Sequence, residues 1–254
     1  MHDMGTRKRA LALVAQGRSL NSVSKETGVS RSAIRSWQSR IEPLPRMQRT
    51  PCSRCGPAAA SPSNTAAYSY LLGLYLGDGC ISPGVRAGYF LRIACANAWP
   101  GLIEACAAAI EAINPSMKSN RVQAVGYTSV VGYSHHWPCL FPQHGPGKKH
   151  ERSIALEPWQ QEIVDAYPWE FIRGLIHSDG CRMTNWTEKV IGGEHKRYEY
   201  PRYFFTNKSS DIIRLFTDTL DTLGVDWKQP NSRNISIARR ASVSLMDTHV
   251  GPKY

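Results

Sequence analysis

Leu71-Leu72-Gly73-Leu74-Tyr75-Leu76-Gly77-Asp78-Gly79 and, 101 residues further on, Ile172-Arg173-Gly174-Leu175-Ile176-His177-Ser178-Asp179-Gly180 are two copies of one pattern. Both run apolar-x-Gly-Leu-apolar-x-small-Asp-Gly, and a cysteine follows each, Cys80 and Cys181. Gly73 and Gly77 are four apart, as are Gly174 and Ser178, so each pair lies on one face of a helix. With no bulky side chain there, two such helices approach to near backbone contact, a device best documented between membrane helices. Asp78 and Asp179 then stand just past the contact, each before a glycine suited to a left-handed C-terminal cap. Pairing the helices brings two carboxylates together about a pseudo-twofold axis, at the negative ends of two helix dipoles. Such acids repel one another. A divalent cation relieves the repulsion, and Mg²⁺ (or Mn²⁺) held by carboxylates and substrate phosphates is suited to phosphodiester hydrolysis.

Outward from the first motif, the pattern predicts a strand over 89–94, a helix over 100–113 and β structure over 121–131. A β-like stretch at 154–156 and a helix over 157–165 then lead into the second motif. Beyond it, 203–207 reads as a strand, Ser209 as the cap of a helix over 210–223, 234–239 as a strand and 243–249 as a short helix. Cys80, Cys95, Cys106 and Cys181 read as buried thiols.

These paired motifs resemble those of the LAGLIDADG family, best known as homing endonucleases, and two copies in one chain resemble its single-chain, pseudo-dimeric members. The resemblance spans residues from about 67 to 254. It implies an α+β fold of two pseudo-symmetric αββαββα modules, 67–167 and 168–254, whose sheets form a saddle on double-stranded DNA. It implies that Asp78 and Asp179 are the catalytic metal ligands, with the Gly77 and Ser178 carbonyls as further ligands. A single chain would then act as a monomeric, internal pseudo-dimer. Leu76 and His177 stand where the family name spells an acid. A basic residue near the scissile phosphate is often part of such sites; Lys148, Lys149, Arg152, Lys228 and Arg239 are candidates that no motif separates.

The N-terminal stretch differs in character. The chain of 254 residues carries a net charge of +11, and residues 1–55 hold 11 Lys and Arg against 3 acidic residues, while the remainder holds 20 against 17. Such an asymmetry points to a polyanionic partner at the N-terminal end. A helix over 6–16 ends at Gly17, Ser19 caps a second over 20–27, and Ser30 caps a third running to about 40. Leu20, Val23, Val29, Ile34 and Trp37 have the apolar spacing that locks two helices across a tight turn at Gly28. The stretch resembles the helix-turn-helix of resolvases, transposases and simple transcription regulators, giving a small all-α domain over 1–42. The resemblance implies that its third helix enters the major groove, with Ser30, Arg31, Ser32, Arg35 and Gln38 facing DNA, the arginines toward guanine edges and the serines toward phosphates.

Residues 43–66, with Pro43, Pro45, Pro51, Pro57 and Pro62 among Ala and Ser, read as an extended linker. Within it, Cys52-x-x-Cys55 is half of a zinc knuckle without a second CxxC. The His135, His136, Cys139, His144 and His150 group is the nearest source of further zinc ligands.

An apolar fraction of 42% with 20% charged residues excludes wholesale disorder. No run reaches the ~20 apolar residues of a membrane helix. Seven scattered cysteines fit reduced thiols and a cytoplasmic location. The leading expectation is a site-specific, metal-dependent double-strand endonuclease with an added helix-turn-helix. Its competitor is a transcription regulator that reuses the fold to grip DNA without cutting, and a third reading is assistance of RNA splicing.

Overall fold

The structure, a computed structural model, describes residues 3–39, 41, 62–84, 88–113 and 116–254, with the side chain of Ser32 excepted. Cys52, Cys55 and most of the stretch read as a linker lie outside the described residues.

A three-helix unit comes first: α1 (Met4–Ala15), α2 (Leu20–Thr27) and α3 (Arg31–Ser39). Its boundaries follow from local chemistry. Asp3 accepts from the Thr6 amide at the start of α1, Ser19 accepts from the Ser22 amide at the start of α2, and Gly28 ends α2 at φ 68°, the left-handed region where a glycine carries no steric cost. Ala10, Val23, Val29, Ile34 and Trp37 form a small core of their own.

The rest of the chain is the two-module α+β fold that the repeat implies. The first module runs α4 (Thr65–Asp78), β1 (Gly79–Pro83), β2 (Tyr89–Ala96), α5 (Pro100–Ile113), β3 (Ser119–Gln123), β4 (Tyr127–Ser134), α6 (Trp137–Leu140) and α7 (Pro158–Ala166). The second runs α8 (Pro168–Asp179), β5 (Gly180–Ile191), β6 (Glu194–Thr206), α9 (Ser210–Thr222), β7 (Lys228–Asn231), β8 (Asn234–Ile237) and α10 (Arg240–His249). Each module has one four-stranded antiparallel sheet, in the equivalent orders β1-β2-β4-β3 and β5-β6-β8-β7. One hydrophobic core, reaching from Tyr68 to Val250, joins the two modules. α4 is buried continuously from Tyr68 to Leu76, as a helix that is apolar all round must be. Among the described residues no helix is long and apolar enough to cross a membrane.

Four local expectations are corrected. First, β1, β5 and β7 were not foreseen. β1 and β5 begin on the motif glycines themselves, and β5 pairs along its whole length with β6 around the Gly192-Gly193 turn. Second, 121–131 is two strands, folded back at Gly126 with φ 84°. Third, 154–156 is no strand: Ile154 is buried in the core while its amide donates to Asp211 Oδ2 at 2.9 Å. Fourth, Gly79 and Gly180 are not left-handed caps. Their φ values are −88° and −112°, because each helix passes directly into a strand. What excludes a side chain there is space: a Cβ on Gly79 would fall 2.5 Å from Tyr75 Cα, and one on Gly180 2.7 Å from Ile176 Cδ1.

Candidate active site

The site is made by how closely α4 and α8 approach. A Cβ on Gly174 would lie 2.1 Å from the Tyr70 carbonyl oxygen and 3.0 Å from Gly73 Cα. A Cβ on Gly73 would lie 2.5 Å from the Phe171 carbonyl oxygen, and one on Gly77 2.2 Å from Ser178 Oγ. Backbone therefore meets backbone at Gly73 and Gly174, and Ser178 fills the space that Gly77 leaves open.

The two acids end the two helices. Asp179 reaches across the seam, its Oδ2 3.1 Å from where a Gly77 Cβ would stand. Burial raises the Asp179 carboxyl to about 6, the Asp78 charge adds to the rise, and the Asn207 hydrogen bond and the two nearby lysines oppose it. Asp78 is raised as well, by burial first, against Lys253 and Lys149. Two carboxylates are thus held partly desolvated, and the Asp78 charge disfavours ionisation of Asp179.

Two ammonium groups stand against them. Lys149, on a single 3₁₀ turn (Lys149–Glu151), donates to the carbonyls of Tyr75, Gly77 and Gly79 at 2.5, 2.7 and 2.9 Å. Lys253 donates to the Ser178 carbonyl at 2.9 Å. Each lysine caps the carbonyl end of one motif helix, where a cation is favoured. Burial lowers Lys149 to about 8, against the pull of Asp179 and Asp78, and lowers Lys253 too, against Asp78. Of the five basic candidates in the sequence, the structure brings only Lys149 to the acids. Lys148 pairs with Glu151, Arg239 with Asp226, and Arg152 donates to the carbonyls of Gln143, Gly145, Pro146 and Gly147 as a loop clamp. Lys253 was missed. Its signal lay in the repeat, since Lys149 follows Asp78 by 71 residues and Lys253 follows Asp179 by 74.

Asn207 was missed as well; its Nδ2 donates to Asp179 Oδ2 at 2.6 Å. In strand register, Gly79 faces Ile93 and Gly180 faces Phe205, so the first-module counterpart of Asn207 is Cys95, which is buried and lies near enough to Asp78 to feel its charge. Asp179 is held by an amide, whereas the equivalent position beside Asp78 is a thiol hydrogen-bonded to Cys106, so the pseudo-symmetry stops at the fold. A groove of about 580 Å³ opens beside the acids, lined among others by Gly77, Cys80, Lys148, Lys149, Asp179 and Asn207.

Oxygen ligands on two repelling carboxylates fit a hard divalent cation. The Gly77 and Ser178 carbonyls are engaged by the two lysines. Among the described residues no group of three or more His, Cys, Asp or Glu could hold a metal, so His135, His136, Cys139, His144 and His150 do not assemble into a site. Cys80 and Cys181 are exposed rather than buried, being the first outward residues of β1 and β5, whereas Cys95 and Cys106 are buried.

The sheet faces turned away from the helices carry an Arg stacked on an aromatic ring in each module: Arg92 over Phe90 on β2, and Arg202 over Phe204 on β6. On α3, Arg35 and Gln38 are exposed, and Ser30 accepts from the Ala33 amide at 3.2 Å. Arg31 does not face solvent freely: its guanidinium pairs with Asp221 of α9.

No family model matches the sequence, and no curated protein matches it. Solved structures do. The LAGLIDADG meganuclease I-AabMI bound to uncleaved DNA superposes at TM-score 0.46 with 12% identity, over 72% of this chain and 83% of that one. I-DmoI in complex with DNA and Ca gives 0.45 and 17%, over 73% and 89%. The N-terminal LAGLIDADG domain of WhiA gives 0.44 and 11%, over 75% and 83%. Likeness at this level carries no statement about chemistry.

Proposed function

We propose that the chain binds double-stranded DNA at a specific site and cleaves phosphodiester bonds with a divalent metal ion, Mg²⁺ or Mn²⁺. The observation that carries this reading is the pair of partly desolvated acids, Asp78 and Asp179, brought together by backbone contact between α4 and α8 and flanked by Lys149 and Lys253. A purely structural seam has no use for two partly desolvated carboxylates, both raised by burial and one raised further by the charge of the other. When bound, the metal would supply Lewis-acid charge to the phosphoryl group being transferred. The chain's own residues do the rest. Asp78 and Asp179 hold the cation, Asn207 fixes the Asp179 carboxylate, and Lys149 and Lys253 set positive charge where a phosphate would lie. The stacked Arg92 and Arg202 on the outer sheet faces grip the duplex, and the three-helix unit, as a helix-turn-helix over 1–42, lengthens the contact through Ser30, Arg31, Ser32, Arg35 and Gln38.

A second reading has an observation of its own. Lys149 and Lys253 already provide countercharge and occupy the Gly77 and Ser178 carbonyls, which suits a protein that binds DNA without cutting, as a transcription regulator does. Selection on a randomised duplex library in Mg²⁺, repeated in Ca²⁺ and with Asp78→Asn, separates the two. Cut ends that disappear in Ca²⁺ and in the variant establish the nuclease. A bound sequence enriched without any cutting establishes the regulator.

A further inference from the structure

The surface that α3 rests on is itself acidic. Arg31 pairs with Asp221, whose side chain is only 5% exposed and which also accepts from Trp227 Nε1 at 2.9 Å. Between the helices lies a groove in which Ser30, just before α3, and Ala33 and Ser36 of α3 face Asp165 of α7 and Asp218 and Thr219 of α9. Three carboxylates, at 165, 218 and 221, thus stand opposite the first turns of α3, a helix with two arginines and no acidic residue. The other Asp221 oxygen is buried with no hydrogen-bond partner. A buried carboxylate oriented by an indole and lacking a full set of donors is a preformed seat for a guanidinium, and it is costly to leave empty.

We infer that the α7–α9 face is a docking surface for α3 that competes with DNA. Arg31 can bond to Asp221 or to a base edge but not to both, and the end of α3 that would enter the major groove is the end seated against α9. The inference rests on the DNA-reading role proposed for α3. In the docked state the chain meets DNA through its sheets alone. Capture of α3 by DNA then requires the Arg31–Asp221 pair to open, so the measured affinity is lowered by the fraction of time the dock is closed.

The test uses the full chain, with a random-sequence duplex pool as probe. Affinity is measured at several salt concentrations, together with the distance between labels on unnatural amino acids at positions 39 and 222. Asp221→Asn keeps the shape and removes the charge; a dock closed about nine-tenths of the time predicts roughly tenfold tighter binding and a steeper salt slope. Trp227→Phe removes only the indole donor and should give a smaller gain in the same direction. In the unsubstituted chain, DNA should lengthen the 39–222 distance. Arg35→Ala should cancel the gain made by Asp221→Asn. If Arg35→Ala weakens binding but neither Asp221→Asn nor Trp227→Phe tightens it, the dock is overturned and the DNA reading of α3 stands. If Arg35→Ala changes nothing in either background, α3 does not read DNA and this inference falls with that reading.

Discussion

His177 and Asp179 sit two residues apart on α8 and are perturbed in opposite senses. Burial holds His177 down to about 4, so it stays neutral, with its Nδ1 2.9 Å from the Tyr70 hydroxyl across the helix seam. The unfolded chain takes up that proton near pH 6.5, so below this value the unfolded state binds more protons and stability falls as pH drops toward 4. Asp179 works the other way. Its folded carboxyl titrates at about 6 and its ordinary value is 3.8, so its ionised form costs stability above pH 6, and the cost disappears as pH falls through that window. In metal-free buffer with chelator the two slopes oppose each other, and the unsubstituted protein should have a shallow stability profile between pH 4 and 6.5. Asp179→Asn should raise stability at pH 7–8 by at most about 3 kcal/mol and make it fall on acidification. His177→Leu, which copies Leu76 of the first motif, should cost ~1–3 kcal/mol near neutral pH for the orphaned Tyr70 hydroxyl, a cost that shrinks as pH falls toward 4 because the penalty of keeping His177 neutral is gone. It should also reverse the acid slope. Urea titrations across that range check both; a parallel shift of the whole profile in either variant would refute the assignment.

At the scale of elements, the α4–α8 seam is the joint on which the molecule depends. Gly174→Ala places a methyl 2.1 Å from the Tyr70 carbonyl oxygen, a backbone atom that no rotamer change can move. The helices must separate, at a cost of about 3 kcal/mol. The separation also spreads Asp78 from Asp179, so divalent-ion affinity should fall together with Tm. Calorimetry with and without Mg²⁺ measures both, and a fall in Tm with unchanged metal stabilisation would show that the acids do not depend on the seam. The same seam was legible in the sequence, because glycine at four-residue spacing has one geometric meaning on a helix. The strands were less legible. β5 and the first half of β6 are exposed on both faces and carry no alternation, so nothing in their hydropathy marks them. Their pairing is set by the Gly192-Gly193 turn and by register inherited from α8.

Across the whole molecule the two modules share a topology and differ in detail. β5 and β6 run 12 and 13 residues where β1 and β2 run 5 and 8. The outer-face pair is inverted, with Phe90 before Arg92 in one module and Arg202 before Phe204 in the other. The three-helix unit packs through α3 chiefly on α9 of the second module. A two-fold symmetric reader selects a palindrome; this chain should select a site whose halves differ, with longer sequence information on the second-module side. The selected library measures this, and a perfect palindrome would count against reading by these sheet faces.

What the sequence determined by itself was the repeat: two helices that can touch only at small residues, two acids at their ends, and a basic three-helix unit whose Ser19 and Ser30 caps and most of whose core were visible in the pattern. These are local or periodic properties, and a linear pattern records them. The tertiary structure decided which charges meet. Lys253 reaches the Ser178 carbonyl across 75 positions and Arg31 reaches Asp221 across 190; a contact between distant elements leaves no periodicity in either, and only the spacing of the repeat hinted at Lys253. It also decided that the motif glycines are extended rather than left-handed, since the space around a backbone is set by what packs against it.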